Sequence, residues 1–159
     1  MIHRHRRWRQ LSAIGALAYR PSRRGRLGRS QVYLALHPGP IRSPQVVRFL
    51  RHLRRHLRGP ICLIWDGLNV HRSVQTRAYL EAHRRALHVY RLPAYAPDLN
   101  PVEGLWAWLK GSAVPNLCAD GLAPLRAQVR AGQRRLRRRP DLLVAFLHKA
   151  GLFFRPNCQ

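Results

Sequence analysis

The stretch Leu92-Pro93-Ala94-Tyr95-Ala96-Pro97-Asp98-Leu99-Asn100-Pro101-Val102-Glu103 decides how this chain is read. It closes on a carboxylate at the start of a helix, because Asn100 suits an N-cap and Pro101 the first helical position. A second carboxylate, Asp66, ends the apolar run Ile61-Cys62-Leu63-Ile64-Trp65. A short, continuously apolar run is the pattern of a buried parallel strand. In an open α/β sheet, ligands and metals gather beyond the carboxyl ends of such strands. Asp66 and Glu103 are therefore the candidate catalytic and metal-binding residues. Their hard oxygens suit Mg²⁺, and two such ions about 3.5–4 Å apart clamp both oxygens of an in-line phosphodiester displacement. A site of that kind normally needs a third acid. Spacing alone leaves two plain alternatives open: Asp66-Gly67 as a turn joining two strands, and Asn100 to Glu103 as a capping box.

Composition points the same way. The 159 residues suit one domain, and 46% hydrophobic content supports a core. Thirty Lys plus Arg stand against 6 acids, a formal net charge of +24. Self-repulsion at that level disfavours a compact monomer unless a polyanion relieves it, and nucleic acid is the default partner through counterion release. Apart from Lys110 and Lys149 every cation is Arg, whose fork matches phosphate and stacks on bases. A GC-rich coding sequence also enriches Arg, Ala, Gly and Pro. Cys62, Cys118 and Cys158 form no C-x-x-C pair; Cys62 reads as a core residue, and a reducing cytosol fits better than a disulfide framework. No apolar run reaches 18 residues and no h-region opens the chain, so neither a membrane span nor a secretory signal is expected.

Outward from the two carboxylates, residues 9–19 and 31–37 read as the strands of a hairpin around a turn at 21–28, ended by Pro38-Gly39-Pro40. Ser43-Pro44 reads as a cap opening a helix with Val46, Leu50, Leu53 and Leu57 on one face, stopped by Gly59. Arg48, Arg51, Arg54, Arg55 and Arg58 lie on its outer side. Further helices are expected from Ser73 to about Arg84, from Pro101 to about Gly111, through Leu122 to Leu136 with Arg134, Arg135 and Arg137 to Arg139 outward, and from Leu142 to Ala150. A strand covers His88 to Leu92. This order indicates an α/β fold with mixed strand directions. Its parts are a hairpin (1–40), a core with both carboxylates (41–112) and Arg-rich C-terminal helices (113–159). Trp65, Trp106 and Trp108 read as packing groups, Trp106 sharing a helix face with Val102, Leu105 and Leu109. His71 and Asn69, just past Asp66, are placed to meet phosphate, although a lone His is more often structural.

Asp66, Asn69, His71 and the string from Leu92 to Glu103, with Trp106 and Lys110 following, are a pattern that resembles bacterial insertion-sequence transposases related to the mariner elements, among the DDE superfamily endonucleases. The resemblance implies a ribonuclease H-like mixed sheet flanked by helices, with Asp66 and Glu103 as second and third members of an Asp/Asp/Glu triad. It implies two Mg²⁺ or Mn²⁺ ions, nicking of double-stranded DNA at a transposon end, and attack of the freed 3′-hydroxyl on target DNA. It further implies a dimer on paired ends, a separate helix-turn-helix for terminal repeats, and a cytoplasmic, nucleoid-associated protein. Asn69, His71, Asn100 and Lys110 are the nucleic-acid contacts expected on this basis. In the family the first Asp lies on a central strand between the hairpin and the strand ending at Asp66. Residues 1–65 hold no Asp or Glu. The expectation is thus an N-terminally truncated catalytic domain without its central strand, inactive alone, whose partner would be the missing N-terminal portion. The competing readings are a non-catalytic basic nucleic-acid-binding module and a remnant without function.

Overall fold

In the computed structural model, residues 11–21, 27–94, 96–113 and 121–153 are described. Strands β1 (Leu11–Pro21) and β2 (Leu27–Pro38) form an antiparallel hairpin running from Leu11 opposite Pro38 to Pro21 opposite Leu27, with a register shift between Tyr19 and Pro21. Alternation divides its side chains between two faces. Ile14, Ala16, Ala18, Tyr33 and Ala35 lie under helix α1 (Ser43–His56), where Phe49 and Leu53 meet them. Leu17, Tyr19, Val32 and Leu34 face the C-terminal helices. Residues 22–26, in the expected turn, lie outside the described residues, as do Tyr95, Cys118 and Cys158.

Helix α1 forms for the reason its spacing gives: Val46, Val47, Phe49, Leu50 and Leu53 are all buried, and its arginines are on the other side. Its cap differs from expectation. Arg42, not Ser43, is the N-cap residue, and its backbone N–H donates to Gln45 Oε1 at 3.1 Å. Gly59 turns the chain after the helix with a φ of +85°, a region that favours glycine. The chain then enters β3 (Ile61–Trp65). Two short helices follow, α2 (Asn69–Arg72) and α3 (Val74–Glu81), the second capped by Ser73, whose hydroxyl accepts from Thr76 N–H. Strand β4 (Leu87–Arg91) then pairs with β3 in parallel, Ile61 to Leu87 through Trp65 to Arg91.

Among the described residues the strands make two two-stranded sheets, β1–β2 and β3–β4, with no ladder between them. This is a mixed arrangement of one antiparallel and one parallel pair. Helix α1 spans the break, since Val46, Val47 and Leu50 pack with Trp65, Tyr79 and Leu87 while Ile14 of β1 touches the same cluster. The β3–β4 pair is covered on that face only. Cys62, Ile64, His88 and Tyr90 are exposed on the other, so the continuous apolar run is not a strand buried on both sides and Cys62 is not a core residue.

Helix α4 (Pro101–Trp108) continues into a π-helical turn at Leu109–Ala113. With α5 (Leu122–Arg137) and α6 (Pro140–Lys149) it covers the second face of the hairpin, burying Leu105, Leu109, Leu136 and Leu143 with Val32. Trp106 and Trp108 pack against this cluster, in keeping with their expected packing role. Tyr19 OH donates to Leu143 O at 2.6 Å, tying hairpin to α6, and burial raises its pKa. Gly104 is needed where α4 meets α6, because a Cβ there would sit 2.6 Å from Phe146 Cδ1 and 3.1 Å from Phe146 Cβ. Alanine would gain about 1 kcal/mol of helix propensity and lose about 1–3 kcal/mol to overpacking. Gly104→Ala is therefore expected to lower stability in chemical denaturation, and Phe146→Leu added to it to recover part of the loss.

Candidate active site

Parallel pairing decides where the two carboxylates begin. Trp65 lies opposite Arg91, and Leu92 N–H donates to Trp65 O at 2.9 Å. Asp66 and the loop starting at Leu92 therefore leave the sheet at one end, the carboxyl end of both strands. That excludes Asp66-Gly67 as a hairpin turn, because two helices separate β3 from β4. The turn after Asp66 is made by the aspartate itself: its Oδ1 accepts from Leu68 N–H at 3.2 Å, as Asp does in turns.

His71 sits beside it. Its Nδ1 lies 2.9 Å from Asp66 Oδ1 and 3.3 Å from Asp66 O. Both of these oxygens only accept, so Nδ1 carries the proton and Nε2 is left for another partner. The imidazole stacks on Trp65, ring centroids 4.2 Å apart and planes 3° from parallel. Burial matches the geometry: the His71 side chain is 15% exposed and that of Asp66 42%. The result is a carboxylate held through one oxygen, with Oδ2 free of partners among the described residues.

Glu103 is placed by the first turn of α4. Asn100 is the N-cap, its Oδ1 accepting from Val102 N–H at 3.2 Å, and Pro101 opens the helix. Only half of a capping box forms, because Asn100 N–H donates to Pro97 O at 2.9 Å rather than to Glu103. The Glu103 carboxylate is thus exposed and unpaired among the described residues. Helix α4 packs chiefly on the hairpin and α6. No hydrogen bond or ion pair among the described residues joins Glu103 to Asp66, and no three of their His, Cys, Asp and Glu side chains gather as a metal-binding group. Asn69 is exposed at the start of α2, and Lys110 is exposed on the π-helical turn. The structure thus brings His71 to Asp66 and spends Asn100 on a cap. The Trp65–His71 stack was not anticipated; the only sequence signal for it is an aromatic residue directly before Asp66.

A divalent ion fits these donors in kind. Each carboxylate keeps at least one free hard oxygen, as Mg²⁺ or Mn²⁺ prefers. In number the set is short by one acid among the described residues.

The fold has solved counterparts. The catalytic domain of Mos1 mariner transposase matches with a TM-score of 0.53 and 16% identity over 90% of this chain and 83% of that one. The same domain with Raltegravir and Mg matches with 0.54 and 17% identity, over 90% and 85% of the two chains. The Mos1 mariner paired end complex with Mn matches with 0.53 and 17% identity, covering 91% of this chain but 56% of that one. The two half-sheets and their helices therefore share the fold of that catalytic domain. A family profile narrows the class: the DDE superfamily endonuclease family matches residues 2–118, and the chain belongs to that family. No curated protein sequence matches it.

Replacing the cap tests how firmly α4 holds Glu103. Asn100→Ala is expected to cost about 1 kcal/mol, read as a lower denaturation midpoint with an unchanged slope.

Proposed function

We propose that this chain is the catalytic-domain portion of a bacterial insertion-sequence DNA transposase, with Asp66 and Glu103 as two carboxylate ligands of a Mg²⁺ or Mn²⁺ site. The observation that carries this reading is a carboxylate with at least one unpartnered oxygen among the described residues at each of the two family-motif positions. Asp66 sits at the carboxyl end of a parallel strand, and Glu103 escapes the capping role its position would allow. Bound there, divalent ions would activate a water or hydroxyl for attack on a phosphodiester. The chain's own residues do the rest. His71 holds Asp66 in one rotamer, and Asn69 and Lys110, exposed near the two ligands in sequence, meet the DNA backbone.

The third acid has no source in residues 1–65. In this reading a segment outside the present sequence supplies it, and the open edges of β1 and β3 are where such a segment would add to the sheet. The chain alone binds DNA and does not cut it. The working form is a dimer on paired transposon ends, at the nucleoid of a bacterial cytoplasm. A binding-only reading draws on the absence of a three-ligand group among the described residues; it requires DNA and Mn²⁺ behaviour indifferent to both carboxylates.

Manganese titration followed by electron paramagnetic resonance separates these. Asp66→Ala and Glu103→Ala are each expected to weaken Mn²⁺ binding at least about tenfold, scaled from the losses seen for supporting residues of metal sites. The parent chain is expected to leave supercoiled DNA intact in Mn²⁺. Unchanged Mn²⁺ affinity in both variants overturns the metal site, and robust nicking lost in Asp66→Ala overturns inactivity of the isolated chain.

A further inference from the structure

Between the end of α1 and the start of β3 lies a cleft of about 320 Å³. Leu57, Ile61 and Ala86 give it apolar walls, and Arg54, Arg55 and Arg58 surround them. It sits at the amino end of β3, five residues from Asp66, so about 16 Å away along the strand. A helix C-terminus ordinarily repels anions, but its partial charge is about half an electron against three whole guanidinium charges. Arg20, near the end of β1, also donates from Nη2 to Arg58 O, just past the helix, at 3.3 Å and brings a fourth guanidinium to this end of α1.

The cleft does not stand alone. A tight connection, residues 57–60, returns the chain from α1 into β3, so the two run in opposite directions and the start of α1 lies toward the Asp66 end. Arg48, Arg51 and Arg55 recur along the exposed side of α1 at intervals of three and four, over about 10 Å. Arg51 lies over the Tyr79 ring, 5.6 Å from its centroid, and the side chains of Arg48, Arg55 and Arg58 have no hydrogen-bond or ion-pair partner among the described residues. Among the described residues no carboxylate forms an ion pair with any of them. Charge around the helix is felt by His52, whose pKa is lowered by burial first and then by His56, Arg137 and Arg55. On α5 and just beyond it, Arg135 is tied to Ser112 O, Arg137 to Val32 O and Arg139 to Asp141, while Arg130, Arg134 and Arg138 are exposed and without a hydrogen-bond or ion-pair partner among the described residues but line no part of the cleft.

We propose that this arginine-lined cleft is a phosphodiester-binding site, fed by the Arg48–Arg51–Arg55 stripe, that holds duplex DNA at the end of β3–β4 remote from Asp66. The inference rests on the nucleic-acid reading above and assigns it a place. A rise of about 3.4 Å per phosphate on one strand lets the stripe and cleft meet three or four phosphates.

The test compares two variants with equal charge loss, Arg48→Gln/Arg55→Gln/Arg58→Gln and, on the α5 side, Arg130→Gln/Arg134→Gln/Arg138→Gln. Binding of a labelled 30-base-pair duplex is followed by fluorescence anisotropy across a salt series in EDTA. The α1 variant is expected to bind at least about tenfold more weakly near physiological salt, with its log–log salt slope reduced by about 3, and the α5 variant to change its slope by less than about 1. Equal effects of the two variants overturn the site, as does an α1 variant indistinguishable from the parent. A parent chain that binds no duplex sinks the nucleic-acid reading itself. Protection of the parent's arginines from phenylglyoxal, mapped by mass spectrometry with and without duplex, needs no variant to fold. Protection at Arg48, Arg55 and Arg58 supports the site, and protection confined to α5 overturns it.

Discussion

The parallel ladder between β3 and β4 is the constraint on which the rest depends. Five residues pair on each side, too few to stand in water without cover. Helix α1 supplies that cover through Val46, Val47 and Leu50 over Trp65 and Leu87. Once the ladder forms, Asp66 and Leu92 must leave from one end, and everything after Leu92 is delivered from there. An antiparallel pairing of the same two segments would separate them by the length of the strand. The chemistry open to this chain thus follows from strand direction before any side chain is considered.

Two different devices then hold the two acids. Asp66 is fixed by neighbours within six residues: the N–H of Leu68, the imidazole of His71 and, behind it, the indole of Trp65. Glu103 is fixed by the backbone alone, through a capped helix whose apolar stripe is buried on the hairpin. One carboxylate is preset as a side chain and the other only as a position. The metal site proposed above would bind tightly only if something drew the second carboxylate inward.

Much of this was readable in the residues. The apolar run to Trp65, the four-three-four spacing of α1 and the Asn100-Pro101 start of α4 all follow from local pattern, and each element appears where the pattern puts it. The break between the sheets was expected from the acid-free first 65 residues together with family resemblance, not from periodicity. Other features were hidden for physical reasons. An apolar run does not say what covers its second face, so Cys62 and Ile64 were assigned to a core they do not enter. Arg42 displaced Ser43 as the cap because Gln45 reaches back to its N–H, a contact that depends on the path of the preceding loop. Which arginines are occupied depends on tertiary neighbours such as Trp108 and the carbonyl of Val32, and no run of Arg in a sequence reveals that.

The open strands carry a cost for the isolated polypeptide. Among the described residues β1 pairs only with β2 and β3 only with β4, leaving backbone donors and acceptors along two borders that natural sheets usually shield. The shielding here is electrostatic: copies each bearing a formal charge of +24 repel one another. That protection reaches only about 10 Å at 0.1 M salt and about 3 Å at 1 M. High ionic strength, which strips nucleic acid from such a protein during purification, therefore also removes the barrier to strand-on-strand stacking between molecules, and colloidal stability and freedom from bound polyanion pull in opposite directions.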